Sequence, residues 1–156
     1  MKIKSVKSNN RRRSFEIVTS SGKSFDFPYA KLAKPPSPSD RIVRAYADPE
    51  LAREAFTYVL ESGAEESVHV DSVLEYNEDP EHLNHLLLYK LTLEAERRVA
   101  KSGLSKRELT RRLRTSAAQL YRLLDPTNTT KSIGQMIVLL RAVGCDVEVV
   151  VRKRAA

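Results

Sequence analysis

Apolar and polar residues alternate along the first half of the chain and recur every three or four positions along the second. Residues 14–32, SFEIVTSSGKSFDFPYAKL, alternate on both sides of Ser21-Gly22. Residues 55–74, AFTYVLESGAEESVHVDSVL, do the same around Ser62-Gly63. Phe15 and Phe56 are offset by 41, as are the two Ser-Gly pairs, so the segments read as an internal repeat. A period of two on either side of a glycine turn predicts a hairpin. The first would be marked by Phe15, Ile17, Phe25 and Phe27, the second by Phe56, Tyr58, Leu60, Val68 and Val70. Another alternating run precedes each hairpin, at residues 2–7 and 41–47, and a short helical turn could close each, at residues 29–33 and 71–76. The simplest domain is two three-stranded antiparallel units. A rival reading makes residues 48–62 one helix, with Asp48 as cap, Pro49 at its first position and Gly63 closing it. The repeat favours a turn or short helix at residues 48–53, followed by a strand.

The period then changes. Asp79 and Pro80 open a helix predicted over residues 80–102, with Leu83, Leu87, Leu91, Ala95 and Val99 in one stripe, Leu86 and Leu93 beside it, and Gly103 at its end. Ser105 with Glu108, Ser116 with Gln119, and Ser132 with Gln135 have the capping-box spacing, so helices should begin at Lys106, Ala117 and Ile133. The first two are short and joined by a tight turn at Arg114. Their stripes are Leu109 and Leu113, then Leu120, Leu123 and Leu124. The third carries Ile133, Met136, Ile137, Leu140 and Val143 and ends at Gly144. The closing residues, CDVEVVVRKR, alternate Val147, Val149 and Val151 and predict a strand that needs a partner. The expected fold class is therefore α+β. It comprises a β-rich domain at residues 1–78, a four-helix domain at 79–144, and a C-terminal strand with a basic tail at 145–156. Residues 34–40, KPPSPSD, are a stiff connector between the two copies.

Charge separates these halves. Residues 1–79 carry 12 basic and 13 acidic side chains, and residues 80–156 carry 15 and 7. Nine basic residues and one acid, Glu108, lie between Arg97 and Arg122. So dense a positive segment points to a polyanion.

The leucine spacing, the two serine caps and the turn at Arg114 resemble the DNA-binding helix-turn-helix of the XRE (Cro/C1-type) family. That family usually places a small residue where Thr110 stands and Gly where Arg114 stands, so Arg114 would hold a left-handed turn at a cost of about 1 kcal/mol. The resemblance implies a second helix lying in the major groove. Ser116, Ala117, Gln119 and Arg122 would then face base edges, with Gln119 suited to adenine and Arg122 to guanine or phosphate. Lys106, Arg107, Arg111 and Arg112 would grip phosphates. A helix of residues 117–124 spans about 12 Å and touches few base pairs, which calls for a homodimer on two half-sites. The C-terminal strand is the favoured dimer contributor, the edges of the N-terminal sheet the alternative. The resemblance also implies an antitoxin-like transcriptional regulator, with a toxin or other protein partner held by the N-terminal domain. That domain is similar to small β-rich domains of the DUF2442-like kind, which imply no activity. The competing function is a protein-interaction module whose basic helices dock an acidic protein.

Catalytic chemistry finds little footing. His82 and His85 are three apart beside Glu81, but no third ligand follows at a known spacing, so exposed polar residues are the expected role and no metal site is expected. His69, between Val68 and Val70, should point away from their core face. Cys145 lies among valines, as a small buried hydrophobe does. No glycine-rich phosphate loop, G-x-S-x-G motif or placed Cys-His pair is present. The chain is expected to be no enzyme, to need no cofactor, to have no membrane partner and to be cytoplasmic.

Overall fold

Gly22 and Gly63 both sit at φ 85°, the left-handed backbone that a tight turn demands and that glycine adopts without steric cost. Each turns a hairpin. In the computed structural model, which describes residues 1–155, the strands are β1 (Ile3–Asn9), β2 (Ser14–Thr19), β3 (Ser24–Pro28), β4 (Ile42–Ala47), β5 (Ala55–Leu60) and β6 (Glu65–His69). They form two antiparallel sheets, ordered β1-β2-β3 and β4-β5-β6. Five helices follow: α1 (Val70–Tyr76), α2 (Pro80–Ser102), α3 (Lys106–Leu113), α4 (Ala117–Leu124) and α5 (Ile133–Ala142). The fold is α+β.

The repeat extends to single bonds. Phe15 faces Phe27, and Phe56 faces Val68. The register slips between Ile3 and Ser5 in one sheet and between Ile42 and Arg44 in the other, so both first strands carry the same irregularity. The turn is closed by the Thr19 N–H on Lys23 O at 2.9 Å in one copy and by the Leu60 N–H on Ala64 O at 2.8 Å in the other. Residues 55–60 are a strand and 49–53 a turn, which rules out the rival helix over 48–62. The Asp48 carboxylate does accept the Glu50 N–H at 2.9 Å, as a helix cap would. The chain then takes positive φ at Ala52 and Arg53, which no continuing helix allows.

The two sheets and α1 share one core, in which the rings of Phe15 and Phe56 meet at 4.8 Å with Tyr29 and Tyr58 beside Phe15. Asp79 caps α2 by accepting the His82 N–H at 3.1 Å, and Lys23 Nζ lies 3.2 Å from the same carboxylate. Burial pushes the Asp79 carboxyl up, but that N–H and the ammonium outweigh it and hold it below the ordinary range. His82 is less exposed than the sequence suggested. Its ring, 14% exposed, lies about 4.0 Å from carboxylate oxygens of Asp71 and Glu75.

The chain divides into two compact units between His82 and Leu83, a few residues beyond the expected limit at 78 and inside α2. In the second unit Leu88, Ala95, Leu109, Leu120, Leu123, Met136, Leu139 and Leu140 form the core. The expected C-terminal strand is absent over residues 145–155, and residue 156 lies outside the described residues. Cys145 and Val147 pack on the helical core, while Val149 and Val151 are 84% and 90% exposed. Strand residues need a hydrogen-bonded neighbour, and no strand of either sheet pairs with this segment.

Candidate nucleic-acid interface

Both short helices begin as their serines require. Ser105 Oγ accepts the Glu108 N–H, and Ser116 Oγ accepts the Gln119 N–H, each at 3.1 Å. The return half of the box forms only at Ser132, whose N–H is held by Gln135 at 2.9 Å. The expected full boxes at Ser105 and Ser116 are thus corrected to single caps. Glu108 turns toward Arg111 instead, at 3.8 Å. The Gln119 amide makes no return bond to its cap.

Arg114 adopts φ 51°, ψ 47°. Its N–H bonds Arg111 O at 3.2 Å, and the Thr115 N–H reaches Thr110 O at 3.0 Å. These two bonds make a Schellman turn, which ends α3 and leaves only residues 114–116 before α4. Gly144 ends α5 with the same pair of bonds, to Arg141 O and Leu140 O. An arginine therefore occupies a site where glycine would be unstrained.

This turn brings Arg114 beside Arg107 and Arg111. The three line one open recess together with Ser105, Glu108, Thr110 and Thr115. Among the described residues no carboxylate pairs with Arg107 or Arg114. The other two expected phosphate contacts lie elsewhere. Lys106 Nζ sits 4.3 Å from the centre of the Tyr121 ring, a cation–π contact that braces α3 on α4. Arg112 donates to Ala142 O at 3.1 Å, at the carbonyl end of α5, where a cation suits the helix dipole.

On α4, Ala117, Ala118, Tyr121 and Arg122 are exposed, and Leu120 and Leu123 are buried. Ser116 and Ala117 stand at the helix start as expected, and Arg122 stands one turn further along the open face. Gln119 lies on the flank of that face, in a groove with Leu113, Leu123 and Val138. Sequence reasoning missed Arg114 and Tyr121 as members of this surface. Tyr121 carries a legible signal, since four residues from Ala117 puts it on the same helical face.

Lys131 was also missed. It lies between α4 and α5 yet is only 4% exposed. Its Nζ donates to Leu123 O at 2.9 Å and Asp125 O at 2.7 Å. The ammonium thus closes the carbonyl end of α4 and holds that helix in place. Burial lowers its pKa, opposed by Asp125 and Glu96. Among the described residues no group of three His, Cys, Asp or Glu side chains could hold a metal ion, and no helix is long and apolar enough to cross a membrane.

Compared with family models, with curated proteins and with solved structures, the chain finds no significant match in any of the three.

Proposed function

We propose that the chain is a double-stranded DNA-binding transcriptional regulator of the XRE helix-turn-helix kind, acting by binding without chemistry. The observation that carries this is the convergence of Arg107, Arg111 and Arg114 on one recess next to the exposed face of α4. Such a pair of surfaces suits phosphate positioning by the first and base contact by the second. Ala117 and Arg122 would meet base edges, with Ser116 and Gln119 at the margin of the contact. Specific binding by so short a helix calls for two copies on adjacent half-sites. The tail is the favoured dimer contributor, because beyond Val147, which packs on the helical core, Val149 and Val151 are exposed. An antitoxin-like role, with a toxin or other protein held by the N-terminal unit, is part of the proposal.

The test is anisotropy of a labelled mixed-sequence duplex at several salt concentrations, followed by selection from a random pool. Arg107→Ala with Arg111→Ala should weaken all sequences alike and flatten the salt dependence by about 0.9 for each phosphate no longer gripped. Gln119→Ala should change the selected sequence. Ending the chain after Val147 should lower the dimer fraction in sedimentation. Absent or salt-independent DNA binding would favour an acidic protein as the partner of the same face.

A further inference from the structure

The near-zero net charge of the first unit hides a segregation. Residues 1–13 carry Lys2, Lys4, Lys7, Arg11, Arg12 and Arg13 and no acid, whereas residues 14–79 carry six basic and thirteen acidic side chains. The three arginines lie on the turn between β1 and β2, and that turn is rigidly built. Asn9 Oδ1 accepts the Arg12 N–H at 2.9 Å. Asn10 donates from its amide to Ile42 O at 3.1 Å and accepts the Tyr29 hydroxyl at 2.9 Å. Arg13 O accepts the Tyr29 N–H at 2.9 Å, and Tyr29 is 1% exposed. The turn is thereby tied to the core at several points.

Two of the nearby guanidinium groups are already matched. Arg12 lies 3.6 Å from Asp26, and Arg41 lies 3.2 Å from Glu61. Among the described residues no carboxylate pairs with Arg11 or Arg13. Arg13 also holds φ 55°, a conformation that costs an L-residue about 1 kcal/mol or more and that glycine adopts freely. Positive φ recurs at Ala52 and Arg53 in the turn between β4 and β5, so what sets Arg13 apart is its unmatched guanidinium beside a recess. Arg13 borders that recess, of about 120 Å³, with Asn10, Arg41 and Ser37, walled by Pro36 and Pro38. Guanidinium groups around a small concavity suit a phosphate, which they can bind through two parallel hydrogen bonds.

We propose that this arginine turn is a second phosphate-binding surface, by which the N-terminal unit holds the backbone of duplex DNA. Arg13 takes one phosphate in the recess, which Arg41 borders while paired with Glu61, and Arg11 takes a neighbouring one. This rests on the reading of the helix pair as a DNA-binding surface, and the test keeps the two apart. The full chain is titrated with a mixed-sequence duplex of about three helical turns between about 50 and 200 mM salt. The variants are Arg11→Ala with Arg13→Gly, and separately Arg107→Ala with Arg111→Ala. Releasing two phosphates at the turn should lower the salt slope by about 2, while Arg13→Gly by itself raises the thermal midpoint. Arg13→Lys, which keeps the charge and the strained backbone, should restore most of the slope. An unchanged slope in the turn variant overturns the proposal, whatever the helix variant does. A slope lowered by the turn variant alone sustains the proposal and overturns the helix reading. No binding by the unaltered chain at the lowest salt overturns both.

Discussion

The connection between β1 and β2 reads Asn-Arg-Arg-Arg, and its counterpart between β4 and β5 reads Asp-Pro-Glu-Leu-Ala-Arg-Glu. The strands on either side match residue for residue, bulge included. At equivalent positions Arg13 accepts the Tyr29 N–H and Glu54 accepts the Val70 N–H. One backbone site thus carries opposite charges in the two copies. Arg53, in the second turn, folds back to donate to Ile3 O and Lys4 O, whereas Arg13 borders an open recess. Packing and turn geometry hold the frame in both copies. The side chains that reach water are under no such constraint and are free to differ.

The largest effect should come from testing whether the frame is one core. Phe15→Ala and Phe56→Ala each remove a fully buried ring from the centre of the shared cluster. Each should cost about 3–5 kcal/mol in denaturant unfolding, with one cooperative transition in both. Separate melting of one hairpin would show that the copies are independent.

Next comes a difference inside the frame. Thr57 donates to the Asp48 carboxylate and shares a bond with Ser67 Oγ at 2.7 Å. Thr57→Val should cost about 1–3 kcal/mol, because it strips a partner from a carboxylate only 8% exposed. Its counterpart Glu16 is exposed, and Glu16→Val should stay within about 0.5 kcal/mol in the same assay.

The turns give a smaller and more pointed contrast. Ala52→Gly and Arg13→Gly both relieve a positive φ and should each raise stability by up to about 1 kcal/mol. Only Arg13→Gly should weaken DNA binding. Equal weakening by both would trace the effect to backbone mobility rather than to the guanidinium.

The smallest effect is a pH dependence confined to the second copy. Glu61 accepts the Arg41 N–H at 3.0 Å and an Arg41 guanidinium bond at 3.2 Å. The backbone bond first, and then the guanidinium against some desolvation, hold its carboxyl below the ordinary range. A lowered folded-state pKa contributes stability above the unfolded value, roughly 4.3, that is lost as pH falls through the folded value. Ser20 occupies the matching place in the first copy and cannot titrate. Glu61→Gln should therefore flatten the acid limb of a midpoint-against-pH curve below about pH 5.

Much of this frame was legible because its signals are local. A period of two broken by Ser-Gly, a proline after an acidic cap, and serines three residues before Glu or Gln each report on backbone geometry within a few residues. The β1 and β4 irregularities are different in kind, since they arise from fitting one strand to its neighbour. At the candidate interface, the helices could be read from spacing, and the strained Arg114 followed from the resemblance to the XRE helix-turn-helix. The destinations of Lys106, Arg112 and Lys131 could not, because a long cation is free to reach a distant ring or carbonyl. The phosphate contacts that the resemblance implied therefore included two side chains that α4 and α5 already engage. The tail failed as a strand for the opposite reason: alternation supplies one edge, and pairing requires another chain segment.

Lys131 has one consequence for handling the molecule. An amine buried against two carbonyls is shielded from acylating reagents and from trypsin. Of the eleven lysines, it should be the last to be labelled by a water-soluble succinimidyl ester, and the bond after it among the last to be cut. Its labelling rate, read by mass spectrometry, then becomes a clock for opening of the α4–α5 loop. Bound partners that slow this clock hold α4 in place, and those that leave it running contact the molecule elsewhere.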